Sequence, residues 1–376
     1  MDRPVSTEVC AVVMARRPEV KTASLPVAAL DAVLLGQQVV GALARLPFRS
    51  PLAGRSSRLS NLGASTTREV IRSFMGYATS LPIAEFRSIE LLLDEVCRVV
   101  MPPIVDLFGV EHRVVEIGGV PGILYVPRGV EPEGVVLYLH GGGYIGTSPT
   151  MYAFFTARLC AHTRCAYFVA DYRLAPEFPF PAGAIDASNV LRAAIEVGVP
   201  ADRLLVAGDS GGGGLATTVV ISALAGEDVV VPAGVILFSP EVDLRLDEPS
   251  VTTNAEHDIL PWNIPTTPYL RGTDPGSGYV SVIDADVTGF PPTCISWGDD
   301  EMFRDPIKRF AEELRDAGVS VDAHEALGMF HVFPILMPWA DESQAVYHRV
   351  TEFTEKVLAD APPLPIGVLD AIRDLV

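Results

Sequence analysis

Two short runs constrain the fold of this chain more than anything else in it. Leu137-Tyr138-Leu139-His140-Gly141-Gly142-Gly143-Tyr144 and, some way downstream, Leu204-Leu205-Val206-Ala207-Gly208-Asp209-Ser210-Gly211-Gly212 are each an apolar strand that ends in glycines. The second contains G-x-S-x-G, a pattern in which a serine occupies a strained strand-to-helix turn with its hydroxyl lifted clear of a sheet. Glycine is required on both sides because a side chain there would strike the neighbouring strand and helix. The first is an HGGG loop, suited to presenting backbone N–H groups to a developing negative charge. Together, in this order, they are far more specific than either alone.

The rest of the chain agrees with a large α/β core. Val135–Leu139, Ala166–Ala170, Leu204–Ala207, Val235–Phe238 and Thr293–Trp297 are unbroken apolar runs, as in parallel strands buried on both faces. Val114–Ile117 and Ile123–Val126 read as an opening pair of strands. Helical patterns lie between, at Tyr152–His162, Pro181–Val197, Gly212–Leu224 and Ile307–Ala317. Such alternation predicts a doubly wound sheet. The rhythm breaks between Pro240 and Pro292, where Pro, Asp and Thr accumulate around an aromatic patch at Trp262 and Tyr269. An amphipathic helix is expected over Pro82–Met101. With this insertion it would cover the carboxyl ends of the strands, where ligands of open α/β sheets bind.

With 376 residues, burial capacity is not limiting. A formal charge of −19 argues against a nucleic-acid partner. Cys10, Cys97, Cys160, Cys165 and Cys294 are scattered, mostly in apolar stretches, which is the usage of reduced core residues in a cytoplasmic protein. Ala28–Leu46 is long and apolar, but Asp31, Gln37-Gln38 and Arg45 interrupt it. It reads as a soluble helix covering a site, with membrane association through 28–46 as the alternative.

These motifs, with Asp171-Tyr172-Arg173-Leu174-Ala175-Pro176-Glu177 and Gly328-Met329-Phe330-His331-Val332-Phe333 in the same order, resemble the hormone-sensitive-lipase-like family of α/β-hydrolases. The resemblance runs from about Arg113 to Glu355. It implies an α/β-hydrolase fold with a mostly parallel sheet, helices on both faces and a helical cap. The expected division is 1–110 as the N-terminal part of the cap, 111–240 and 286–376 as the catalytic domain, and 241–285 as the second part of the cap.

Ser210 is then the expected nucleophile, and a neutral hydroxyl needs an adjacent base. A chymotrypsin-like serine site has the same five letters, but that fold is all-β and places its histidine before the serine. In the α/β-hydrolase order of serine, acid, histidine, His112, His140 and His162 come too early. His257 lies in the insertion, His324 in the last expected strand and His348 on a C-terminal helix. His331 remains, within the family's histidine motif. The acid lies in Trp297-Gly298-Asp299-Asp300-Glu301-Met302-Phe303-Arg304-Asp305, where the family's frame puts Glu301 in place of the commoner aspartate; Asp300 is the alternative and Asp305 is expected to cap the next helix. By resemblance, the oxyanion donors are the N–H groups of Gly142, Gly143 and Gly211. His140 is expected to brace that loop, Tyr144 to wall the pocket, Asp209 to support the elbow, and Arg173 and Glu177 to form an ion pair.

The expected function is a serine carboxylic-ester hydrolase acting through an acyl-enzyme on small to medium acyl esters, without metal or organic cofactor. The same machinery could serve an acyltransferase or an amide deacylase. A non-catalytic receptor on this fold is disfavoured by retention of His331. The expected partner is a small-molecule ester, and a homodimer is possible.

Overall fold

The computed structural model describes residues 21–45, 58–226, 230–261, 264, 266–365 and 367–373. Cys10, Leu46 and Trp262 lie outside them. Three helices come first: α1 (Leu25–Arg45), α2 (Arg58–Ala78) and α3 (Ile83–Leu107). An eight-stranded sheet follows, comprising β1 (Val110–Ile117), β2 (Val120–Pro127), β3 (Val135–Leu139), β4 (Ala166–Ala170), β5 (Leu204–Asp209), β6 (Gly234–Phe238), β7 (Thr293–Gly298) and β8 (Val321–Ala326). Their spatial order is β1-β2-β4-β3-β5-β6-β7-β8. The β1·β2 and β2·β4 pairings are antiparallel, and all others are parallel.

Interleaved are α4 (Ala153–Thr163), α5 (Ala182–Glu196), α6 (Ser210–Leu224), the short α7 (Pro249–Thr253) and α8 (Thr267–Leu270), α9 (Arg304–Asp316), α10 (Phe333–Leu336), α11 (Asp341–Leu358) and α12 (Val368–Arg373). The central strands bury both faces, so nearly every position is apolar and the period-two alternation separates two cores instead of core from solvent. Val135, Leu137 and Leu139 face α5, α6 and α9; Val136 and Tyr138 face α4 and α11. The antiparallel opening strands extend beyond the expected Val114–Ile117 and Ile123–Val126, because β1 has one wet face, with residues 111–114 exposed, and so no unbroken apolar run marks its start.

Among the described residues, α1 is the one helix long and apolar enough to cross a membrane by length and composition. It packs on α2 and α3. Its polar interruption points inward: Asp31 is buried and accepts a hydrogen bond from the Tyr77 hydroxyl at 3.2 Å. Leu25, Leu30, Val33 and Val40 point outward. The helix α3 continues through Pro102 and Pro103 to Leu107, beyond the expected end at Met101.

Candidate active site

Strand β5 runs straight into α6, and the joint between them is Ser210, whose φ of 51° lies in the left-handed region. A non-glycine residue there is strained by contact between its Cβ and the backbone. The flanking residues yield the space instead: a Cβ on Gly208 would collide with the Gly212 backbone, and one on Gly212 with the carbonyls of Leu139 and His140. The serine hydroxyl thus stands at the carboxyl edge of the sheet, 2.8 Å from His331 Nε2.

His331 lies in the loop between β8 and α10, fully buried, with the Phe303 ring edge-on at 5.1 Å. Burial alone pushes its imidazole down to about 3, because desolvation disfavours the cation. The ring therefore rests neutral, and with Nε2 accepting from Ser210 its hydrogen belongs on Nδ1.

Glu301 is fully buried after β7. Its Oε2 accepts hydrogen bonds from Ser239 Oγ at 2.7 Å and Gly298 N–H at 3.1 Å. Burial, then the nearby charge of Asp258, hold its carboxyl well above the ordinary range, while these two bonds pull the other way. The expected bond from Glu301 to His331 is not formed. Glu301 Oε1 and His331 Nδ1 are both buried without a hydrogen-bond partner among the described residues, because the carboxylate's other oxygen is held by Ser239 and Gly298. Asp300 is half-buried and its N–H donates to Met329 C=O.

The glycine loop is pressed against the elbow. A Cβ on Gly211 would stand 3.1 Å from Tyr144 N and 3.3 Å from Gly143. Gly142 has φ 113° and Gly143 φ 60°, so both use conformations that side chains disfavour. Asp209 fastens this loop: its carboxylate accepts from Tyr138 Oη (2.8 Å), Tyr152 Oη (2.8 Å) and Gly141 N–H (3.0 Å). Burial nonetheless lifts Asp209 to about 7. His140 Nδ1 lies 2.8 Å from Thr147 Oγ1, and the ring stacks on Tyr172 at 4.5 Å. Tyr144 is buried and stacks on Tyr269, with ring centroids 3.8 Å apart.

Two sequence-based expectations are corrected. Arg173 pairs with Asp186 at 2.8 Å, and Glu177 with Arg87 at 2.7 Å, so they are not partners of each other. Asp305 does not cap α9, whose N-cap is Phe303 without a side-chain bond; its Oδ2 accepts from Ser250 N–H at 3.0 Å. Expectation from local sequence failed because both partners come from distant segments.

Three residues escaped the sequence reading. Asp258, fully buried in the insertion, accepts from His331 N–H (2.9 Å), Ile259 N–H (2.7 Å) and Met302 N–H (2.7 Å). One carboxylate thereby joins the histidine loop, the Glu301 loop and the insertion. Ser239 Oγ bridges as well, donating to Glu301 and accepting from Val332 N–H at 3.0 Å. Arg87 of α3 is buried and donates to Glu90, Glu177, Ile145 C=O and Ala175 C=O. Only the Ser239-Pro240 step after an apolar run hinted at any of these; a lone Asp in an irregular segment has no periodicity to mark it.

A family model described as alpha/beta hydrolase fold matches residues 136–335. An acetyl-hydrolase of Streptomyces hygroscopicus is 35% identical over 205 residues, covering 53% of this chain and 67% of its own. A carboxylesterase of Mycobacterium tuberculosis, NlhH, is 34% identical over 266 residues, covering 64% and 82%. Among solved structures, a hormone-sensitive lipase from a metagenome library superimposes with TM-score 0.69 at 29% identity, covering 78% of this chain and 98% of its own. An esterase from the bacterial hormone-sensitive lipase family gives TM-score 0.68 at 26% identity, again covering 78% and 98%. With this fold and these relatives, the chain belongs to the hormone-sensitive-lipase-like family of α/β-hydrolases and is a hydrolase.

Proposed function

We propose that this hydrolase cleaves carboxylic esters through an acyl-enzyme, with Ser210 as nucleophile, His331 as base and Glu301 as the acid that steadies it. The observation carrying the reading is the 2.8 Å approach of Ser210 Oγ to His331 Nε2 at a strained strand-to-helix joint. Ser210 Oγ attacks the ester carbonyl as its proton passes to Nε2. The resulting imidazolium is the species burial penalises, and the Nδ1–H needs an acceptor. Glu301 Oε1 is a buried acceptor without a partner among the described residues. Movement of the ring or the carboxylate that brings the two together forms the missing bond as charge develops, so both buried groups gain a partner when it counts. Apo-state hydrogen bonds of this kind commonly tighten only in the complex.

The oxyanion is received by the N–H groups of Gly142, Gly143 and Gly211. Asp209 keeps this donor loop against the elbow, and preorganised donors are worth about 3–4 kcal/mol each by deletion. His331 then returns its proton to the leaving alcohol, and water repeats the cycle on the acyl-enzyme. The N-terminal helices and the 241–285 insertion act as a cap: Arg72 donates to Asp258 C=O at 2.6 Å, and Phe86 packs where Gly146 leaves no room for a side chain. The name of one relative, acetyl-hydrolase, supports a short acyl group, and that of another, carboxylesterase, supports ester cleavage. The test is labelling by a fluorophosphonate probe with p-nitrophenyl acetate turnover. Wild type is expected to label and turn over, and Ser210→Ala to do neither; turnover by a folded Ser210→Ala protein would overturn the assignment.

A further inference from the structure

The loop leaving β6 carries a second buried carboxyl that the proposed chemistry does not use. Glu241 is 2% exposed, and its backbone N–H donates to the carbonyl of Ser210 itself at 2.9 Å. Among the described residues its Oε1 has no hydrogen-bond partner. Its carboxyl is pushed up to about 8 by burial, and among the described residues no cation or donor offsets the cost. Carboxyls buried for structural reasons in this protein look different: Asp209 and Asp258 each accept three hydrogen bonds. An unpaired buried carboxyl costs stability and returns nothing to the free fold.

Its surroundings are aromatic. The carboxyl is close enough to Tyr144, Tyr172 and Tyr269 to raise all three phenols. Tyr144 and Tyr269 lie face to face at 3.8 Å and 8°. Gly214, at the start of the second turn of α6, lacks a side chain where Tyr144 Oη and Glu241 C=O converge, so the helix makes room for this cluster. Tyr144 directly follows Gly143, and its backbone N packs on Gly211. The group is therefore one residue removed both from the nucleophile and from the donor loop. A buried carboxyl with no basic partner among the described residues, bordered by tyrosines, is suited to an organic cation, which the carboxylate attracts. The chain's net charge of −19 also favours the approach of a cation.

We propose that Glu241, with Tyr144 and Tyr269, forms a subsite for a positively charged alkylammonium group on the substrate, so that the preferred esters carry an amine. The proposal rests on Ser210 being the nucleophile. On binding, the proton Glu241 holds at neutral pH passes to water and the carboxylate pairs with the ammonium.

The experiment compares competitive inhibition of p-nitrophenyl acetate hydrolysis by butylammonium and by its uncharged analogue butyronitrile. For the wild type, butylammonium is expected to bind at least about tenfold more tightly, equivalent to ~1.4 kcal/mol. The ratio is expected to fall to about unity in Glu241→Gln and to invert in Glu241→Leu. Fluorophosphonate labelling counts competent sites in each variant, and the ratio is internal to each protein, so altered turnover does not obscure it. Equal inhibition of the wild type by both compounds, or a ratio unchanged in both variants, overturns the proposal. Absence of wild-type turnover and labelling would instead defeat the ester-hydrolase reading.

Discussion

Replacing Asp258 by Asn tests whether one carboxylate sets the register of the histidine and acid loops. Asp258 accepts three backbone N–H groups, and Asn supplies a single carbonyl oxygen. If that oxygen stays on His331 N–H and Ile259 N–H, the amide NH2 faces Met302 N–H and both of these buried donors go unpaired, at about 1–3 kcal/mol each, roughly 2–6 kcal/mol together. Against this loss stands a relief. Burial lifts Asp258 from 3.8 to about 6, a net shift in which the charge assistance of its three bonds is already counted, so at pH 7 the fold carries roughly 3 kcal/mol of ionisation penalty that Asn removes. The net loss of stability is therefore modest, at most about 3 kcal/mol. Catalysis has no such relief, since displacing a reacting group by about 1 Å can cost 10²-fold. The expected outcome at pH 7 is a kcat for p-nitrophenyl butyrate lowered about 100-fold, with KM little changed and Tm lowered by only a few degrees. Turnover per fluorophosphonate-titrated site and a thermal melt check it. A kcat within threefold of wild type would refute the argument, as would a large fall in Tm with unchanged turnover per site.

Three further outcomes are expected. Ser210→Ala should lose ester turnover by about a million-fold, as triad knockouts do, while keeping its melting temperature, checked by steady-state kinetics and calorimetry. Glu301→Gln should lower kcat by about 10⁴ and Asp300→Asn by far less; the reverse order in the same assay would make Asp300 the acid. In a pH series of melts, Tm should be higher at pH 5.5 than at pH 8. Asp209, Glu241, Asp258 and Glu301 all have raised folded values, so each destabilises the fold as pH rises from its unfolded value through its folded one; His331, lowered to about 3, and His112, His162 and His324, also lowered by burial, oppose them below about 6.5, where only part of the window lies.

The sheet could be read from the chain because its central strands are buried on both faces, and a run such as Leu204–Ala207 has no alternative reading as a surface element. Ser210 and His331 were legible for another reason: the elbow and the histidine loop need particular backbone conformations, and glycine spacing records them. What stayed hidden is whatever depends on two distant segments meeting. Asp258 reaches His331 across 73 residues, and Arg87 reaches Glu177 across 90, with no local pattern at either end. The Glu301 identification came from a frame, whereas the bridging hydroxyl of Ser239 that holds it depends on how β6 and β7 lie side by side.

The buried guanidinium of Arg87 has a practical consequence for anyone recombining this protein with its relatives. Arg87 holds Ile145 at the end of the glycine loop, and Ala175 and Glu177 beyond β4, all from a helix that precedes the sheet. For this guanidinium the seam has to fall before Ile83, between α2 and α3, and bonds such as those from Arg68 and Arg72 to the carbonyls of His257 and Asp258 then have to be carried across it. A chimera cut there inherits an intact wall behind its glycine loop, whereas one cut at the start of the sheet strands a set of acceptors built for an arginine it no longer has.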